Sequence, residues 1–174
     1  MASHDTPRFD VVQVTLAVGG SQFFALDAHS SSAFGKRGQV LTVTVGSLLA
    51  YCHDAEVVQA YARAWRVATD YAPKILPAKS GRGSGDHNPT GLVLRLSGTP
   101  VRQQVNGIPS GASPTGIAHV RVALDRLVVH AYDVEAVRDW AAGWAAAEAD
   151  ALRLWPAAEP AAPTPARRAA RSHR

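Results

Sequence analysis

Two hydrophobic rhythms alternate along this chain. Residues 11–20 (VVQVTLAVGG) switch between apolar and polar positions and close on a glycine pair, the pattern of a half-buried strand. Residues 22–26 read as a second strand and 29–38 (HSSSAFGKRG) as a polar loop. Alternation resumes over 39–45, with Leu41, Val43 and Val45 on one side and Thr42 and Thr44 on the other. Gly46 and Ser47 then supply a tight turn into 48–53, so these two strands form a hairpin. Beyond it the step changes from two to three and four. Val57, Val58, Tyr61, Ala62, Trp65 and Ala68 make one apolar stripe, predicting a helix over about 54–72. Asp54 can accept the first N–H groups of that helix, Glu56 suits the positive end of its dipole, and Pro73 stops it.

The same succession then returns. Residues 92–97 (LVLRLS) and 101–105 (VRQQV) read as strands and 106–115 as a Gly/Ser/Pro loop. A hairpin joins 119–124 to 127–132, and a helix follows over about 133–154. Residues 47–77 align without a gap on 126–156, with nine of thirty-one positions identical, Asp54/Asp133, Trp65/Trp144 and Pro77/Pro156 among them. Upstream, Val12, Val14 and Leu16 align on Leu92, Leu94 and Leu96 with one residue of slippage.

A self-similar period outranks local motifs in assigning a fold. The expected class is therefore α+β: a tandem duplication of a β-β-β-β-α unit, each an antiparallel sheet plus one C-terminal helix, packed as a pseudo-two-fold dimer. Residues 1–10 would be a flexible N-terminus, 11–77 the first repeat, 78–90 a Gly-rich linker and 91–156 the second repeat. Residues 157–174 would be a disordered Pro/Ala-rich basic tail. Trp65 and Trp144, at matching places in the two stripes, are the expected centre of a shared core. This element order is similar in plan to the whirly and PUR-repeat class of single-stranded nucleic-acid binders, a resemblance of element order alone.

Composition adds bounds. No apolar run approaches the roughly 18–20 residues that span a bilayer, so no membrane association is expected. The first residues, MASHDTPRFD, are polar and do not resemble a secretory signal. A single cysteine, Cys52, excludes an intramolecular disulfide and suits a reducing, cytoplasmic setting. Abundant Ala and Arg with scarce Lys and Met point to a GC-rich bacterial source. The net charge of +4 is concentrated at the end, where 166–174 (ARRAARSHR) carries four arginines and no acid.

Few residues offer chemistry. Cys52–His53–Asp54 holds catalytic residue types, but neighbours on a strand face opposite sides and the second copy has Ala131–Tyr132–Asp133 there. The spacing of Asp54/Glu56 and Asp133/Glu135 sends each pair of carboxylates to diverging faces of a helix, so capping explains them. The histidines show no paired metal spacing, and the G-x-G-x-G run over 81–85 lacks the strand–loop–helix context of a phosphate cradle. No metal or cofactor is expected. If Leu92, Leu94 and Leu96 point inward, Val93, Arg95 and Ser97 point outward; Val120, Val122 and Leu124 likewise put His119, Arg121 and Ala123 outside. Arg95, Arg102, Arg121 and Arg126 could then gather on one surface of the second unit.

The leading expectation is a non-enzymatic nucleic-acid-binding accessory protein. Arg95, Arg102, Arg121 and Arg126 would meet DNA or RNA together with Arg167, Arg168, Arg171 and Arg174 of the tail. The alternative is a protein-interaction or scaffold module that docks a partner, or a second copy, through its helices or a sheet edge. An enzyme built on Cys52 ranks third.

Overall fold

A computed structural model describes residues 13–31, 38–79 and 91–156. These hold β1 (Val14–Val18), β2 (Phe24–Ser31), β3 (Gly38–Val45), β4 (Leu48–Cys52), α1 (Ala55–Ile75), β5 (Leu92–Leu96), β6 (Gln103–Ile108), β7 (His119–Leu124), β8 (Leu127–Ala131) and α2 (Val134–Leu154). The architecture is α+β, with two four-stranded sheets and two helices among the described residues. No helix in them is long and apolar enough to cross a membrane.

Neither sheet is made by one half of the chain. The first sheet has the order β2-β3-β4-β5 and the second β1-β8-β7-β6. Within each, β2–β3–β4 and β6–β7–β8 are antiparallel, as turn-connected strands must be. The fourth strand is exchanged: β1 lies parallel to β8 with Val14 opposite Leu127, and β5 lies parallel to β4 with Leu92 opposite Leu48. The helices cross over too. α1 follows β4 but packs on β6 and β7, while α2 follows β8 and packs on β2 and β3. The helices also pack on one another, and the core fills the space between them and the two sheets.

That register revises the upstream alignment expected from sequence. Leu48 and Leu127 hold matching hairpin positions, so Val14, Leu16 and Val18 correspond to Leu92, Leu94 and Leu96. A shift of two residues preserves the inward and outward alternation, so the pattern alone could not detect it.

Each helix start is tied to the exchanged strand by one aspartate. Asp54 accepts Val57 N–H at 2.9 Å on one oxygen and Gly98 N–H, just past β5, at 2.6 Å on the other. Asp133 accepts Ala136 N–H at 2.7 Å and Gly20 N–H, just past β1, at 2.6 Å. Gly20 and Gly98 both have left-handed backbone, with φ 68° and 71°, a conformation that favours glycine. Beyond the expected cap, each aspartate is therefore also a clasp.

Several boundaries differ from expectation. β2 continues through His29 to Ser31, and β6 through Asn106 to Ile108, because cross-strand pairing with β3 and β7 overrides the polar composition. α1 runs past Pro73 to Ile75. Proline lacks only its own N–H, and the last turn closes by Leu76 N–H donating to Ala72 O at 2.9 Å. Trp65 and Trp144 are both fully buried, as expected, but they do not stack on each other. Trp65 meets Trp140 at 4.7 Å between ring centroids, and Tyr61 meets Trp144 at 4.5 Å. Both pairs join α1 to α2, and successive helix turns supply them.

Candidate nucleic-acid interface

Of the arginines expected to gather, three do. Arg95 lies on the outer side of β5, Arg102 in the segment before β6, and Arg126 in the β7–β8 turn. All three line one open cleft of about 570 Å³. Its walls include Leu94, Leu96, Leu124 and Leu127, together with the backbone turn at Ser97 and Gly98. Arg95 arrives there because β5 joins the first sheet, bringing its end beside the β7–β8 turn of the second. The cleft size suits a small molecule or one segment of a polymer.

The charge balance of the cleft is positive. Asp125 is its one acidic lining residue, and that carboxylate is engaged locally: it accepts Arg102 N–H at 2.9 Å while Asp125 N–H donates to Arg102 O at 2.8 Å. Asp125 adopts φ 49°, the left-handed backbone that closes this two-residue hairpin turn. Guanidinium groups beside apolar side chains can hold phosphate and a flat apolar ring at once.

Arg121 is not part of that cleft. It projects from β7 on the face away from the helices, opposite His130, and donates to Gln104 Oε1 at 3.0 Å. The same face carries a feature that alternation misjudged. His119 was expected outside, yet it is only 4% exposed. Its ring stacks on His130 at 4.6 Å and 15°, with Tyr132 at 5.7 Å, and its Nδ1 lies 3.0 Å from Ile117 O. Burial, then His119 and Arg121, hold the His130 pKa below its ordinary value. Arg167, Arg168, Arg171 and Arg174 lie outside the described residues, as does the glycine run over 81–85.

The strongest nucleophile candidate is sealed. Cys52 is fully buried under α1, and its pKa is pushed up to about 12, first by burial and then by Asp54. His53, next along the chain, is exposed. A thiol with this pKa stays protonated wherever an enzyme would use it. It also makes stability sensitive to alkali. The folded pKa lies above the ordinary 9.0, so the contribution is complete below about pH 9 and falls as pH rises toward the folded value. Urea unfolding at stepwise higher pH is expected to show this decline, and Cys52→Ala to flatten it; an equally steep decline in the variant would refute the assignment.

Two tryptophans of α2 are likewise core. Trp140 and Trp144 are both fully buried, so α2 does not offer them to a partner. Among the described residues no group of three or more His, Cys, Asp or Glu side chains could hold a metal ion. No protein-family model, curated protein or solved structure matches the chain.

Proposed function

We propose that this chain is a non-enzymatic nucleic-acid-binding protein, built as a duplicated β-β-β-β-α unit whose halves pack about a pseudo-two-fold axis. The duplication reading is supported by the exchange of β1 and β5, by the matched aspartate clasps, and by the crossed ring pairs. In the last, Tyr61 and Trp65 meet Trp144 and Trp140, the reciprocal pattern of an isologous interface. The binding reading rests on one observation: three separate segments bring Arg95, Arg102 and Arg126 to a single open cleft with apolar walls.

Phosphates would meet the guanidinium groups and release counterions, with the tail arginines adding sequence-independent attraction. Filter binding of a single-stranded oligonucleotide across a salt series tests this. The triple variant Arg95→Ala/Arg102→Ala/Arg126→Ala is expected to bind more weakly and to make the log–log salt slope shallower by about 2, at roughly 0.7 per lost phosphate contact. Affinity indifferent to salt and to these substitutions would sink the proposal. Arg121→Ala, which leaves the cleft intact, is the matched control.

A further inference from the structure

The corresponding turn in the first half holds a glutamine side chain. There the β3–β4 turn at Gly46, rather than the β7–β8 turn at Asp125, receives the backbone: Gly46 N–H donates to Phe23 O at 2.8 Å, as Asp125 N–H does to Arg102 O. Phe23 thus stands where Arg102 stands, and Gln22 where Val101 stands. The Gln22 side chain turns back into the slot. Its Nε2 donates to Gly19 O at 2.9 Å and to Gly20 O at 3.2 Å, and its main-chain N–H donates to Asp139 Oδ2 at 2.7 Å. The amide thus fills its own binding place.

In the second half the plug is missing. Val101 is 93% exposed and carries no polar group. Ser97 and Gly98, at the positions of Gly19 and Gly20, line the open cleft instead, and Thr99 and Pro100 set Val101 one residue further from them than Ser21 sets Gln22 from its glycines. The chemistry of the two turns explains the difference. A Cβ on Gly46 would lie within 2.3 Å of Gln22 Oε1. Asp125 has such a Cβ on a backbone of nearly the same φ, 49° against 55°. A glutamine at 101 would have to shift its flexible amide end to fold in as Gln22 does.

We infer that the cleft is an amide-type slot and that it takes a nucleobase bearing an exocyclic amino group. This rests on the nucleic-acid reading above and specifies which bases it favours. An sp² amino group has two hydrogens, and around Gln22 Nε2 three successive main-chain oxygens, of Gly19, Gly20 and Ser21, gather within hydrogen-bond distance, Gly19 O the nearest. The Ser97 and Gly98 carbonyls would do the same for cytosine, adenine or guanine. Leu94, Leu96, Leu124 and Leu127 would flank the ring, and Arg95, Arg102 and Arg126 would meet the flanking phosphates. Uracil presents a carbonyl where cytosine presents the amine, and two facing oxygens repel.

Fluorescence anisotropy with oligo(dC) and oligo(dU) of equal length, at one salt concentration, tests this. The wild-type protein is expected to bind oligo(dC) at least about fivefold more tightly, the discrimination of one good base contact. Asp125→Gly alone should keep that preference. Val101→Gln/Asp125→Gly, which restores both the plug and the space for it, should reduce oligo(dC) binding to the oligo(dU) level. Equal binding of the two oligonucleotides by the wild type, or a preference surviving the plug, overturns the inference and leaves the nucleic-acid reading standing. Failure to bind either oligonucleotide overturns both.

Discussion

Trp140→Ala is expected to lower the unfolding free energy by about 3–5 kcal/mol, the largest effect of any single substitution considered. The ring is fully buried and meets Trp65 at 4.7 Å where the two helices cross, with both sheets behind them. Removing it opens a cavity in the core between the two helices, and a fully packed site collapses poorly. Urea denaturation measures the loss, with Trp155→Ala as a control at a partly exposed position, expected to lose far less. Trp140→Phe should distinguish packing from polarity. The buried indole N–H of Trp140 has no hydrogen-bond partner, and an unmade bond of this kind costs about 1–3 kcal/mol. Phenylalanine removes that donor while keeping most of the ring, so its loss should be well under half that of alanine. Equal losses for Phe and Ala would show that the N–H is satisfied in solution.

Asp133→Ala should be the next most damaging change, at about 2–4 kcal/mol, combining a lost helix cap with a buried N–H left unpaired. Its carboxylate is fully buried and holds Ala136 N–H and Gly20 N–H at once. Asp54→Ala removes the corresponding clasp, but Asp54 is half-exposed and Gly98 is at the surface, so water can replace the carboxylate and the loss should be smaller. Asp133→Asn retains the shape and one acceptor and should fall between wild type and alanine. Thermal unfolding of the four proteins gives the order, and Asp54→Ala proving worse than Asp133→Ala would contradict it.

Alternation located the strands, Gly46–Ser47 and Asp125–Arg126 marked the hairpin turns, and Asp54 and Asp133 marked the helix starts, because each signal is local. The exchange of β1 and β5 was not legible. A strand with one apolar side pairs equally well on paper with any sheet edge, and only packing in three dimensions decides which. The consequence reached the candidate site. Arg95 was placed with Arg121 on one surface, whereas β5 carries it to the other sheet and to Arg102 and Arg126. His119 shows a second limit: alternation gives the side of the sheet a residue faces, but not whether a neighbour such as His130 covers it. Gln22 was read as the start of a strand. Its role as a plug emerges only when its turn is compared with the one around Val101.

The exchanged strands also bear on how the chain is made. β1 leaves the ribosome well before β8, and its clasp, Gly20 to Asp133, spans 113 residues. At about 5–20 residues per second, its N–H and C=O groups wait roughly 6–23 seconds for β8. During that interval the first half has a sheet without its fourth strand and a helix without the surface it covers. Pulling the chain from the ribosome at residue 79 would yield no smaller folded protein, only a fragment with an open sheet edge ready to pair with another like itself.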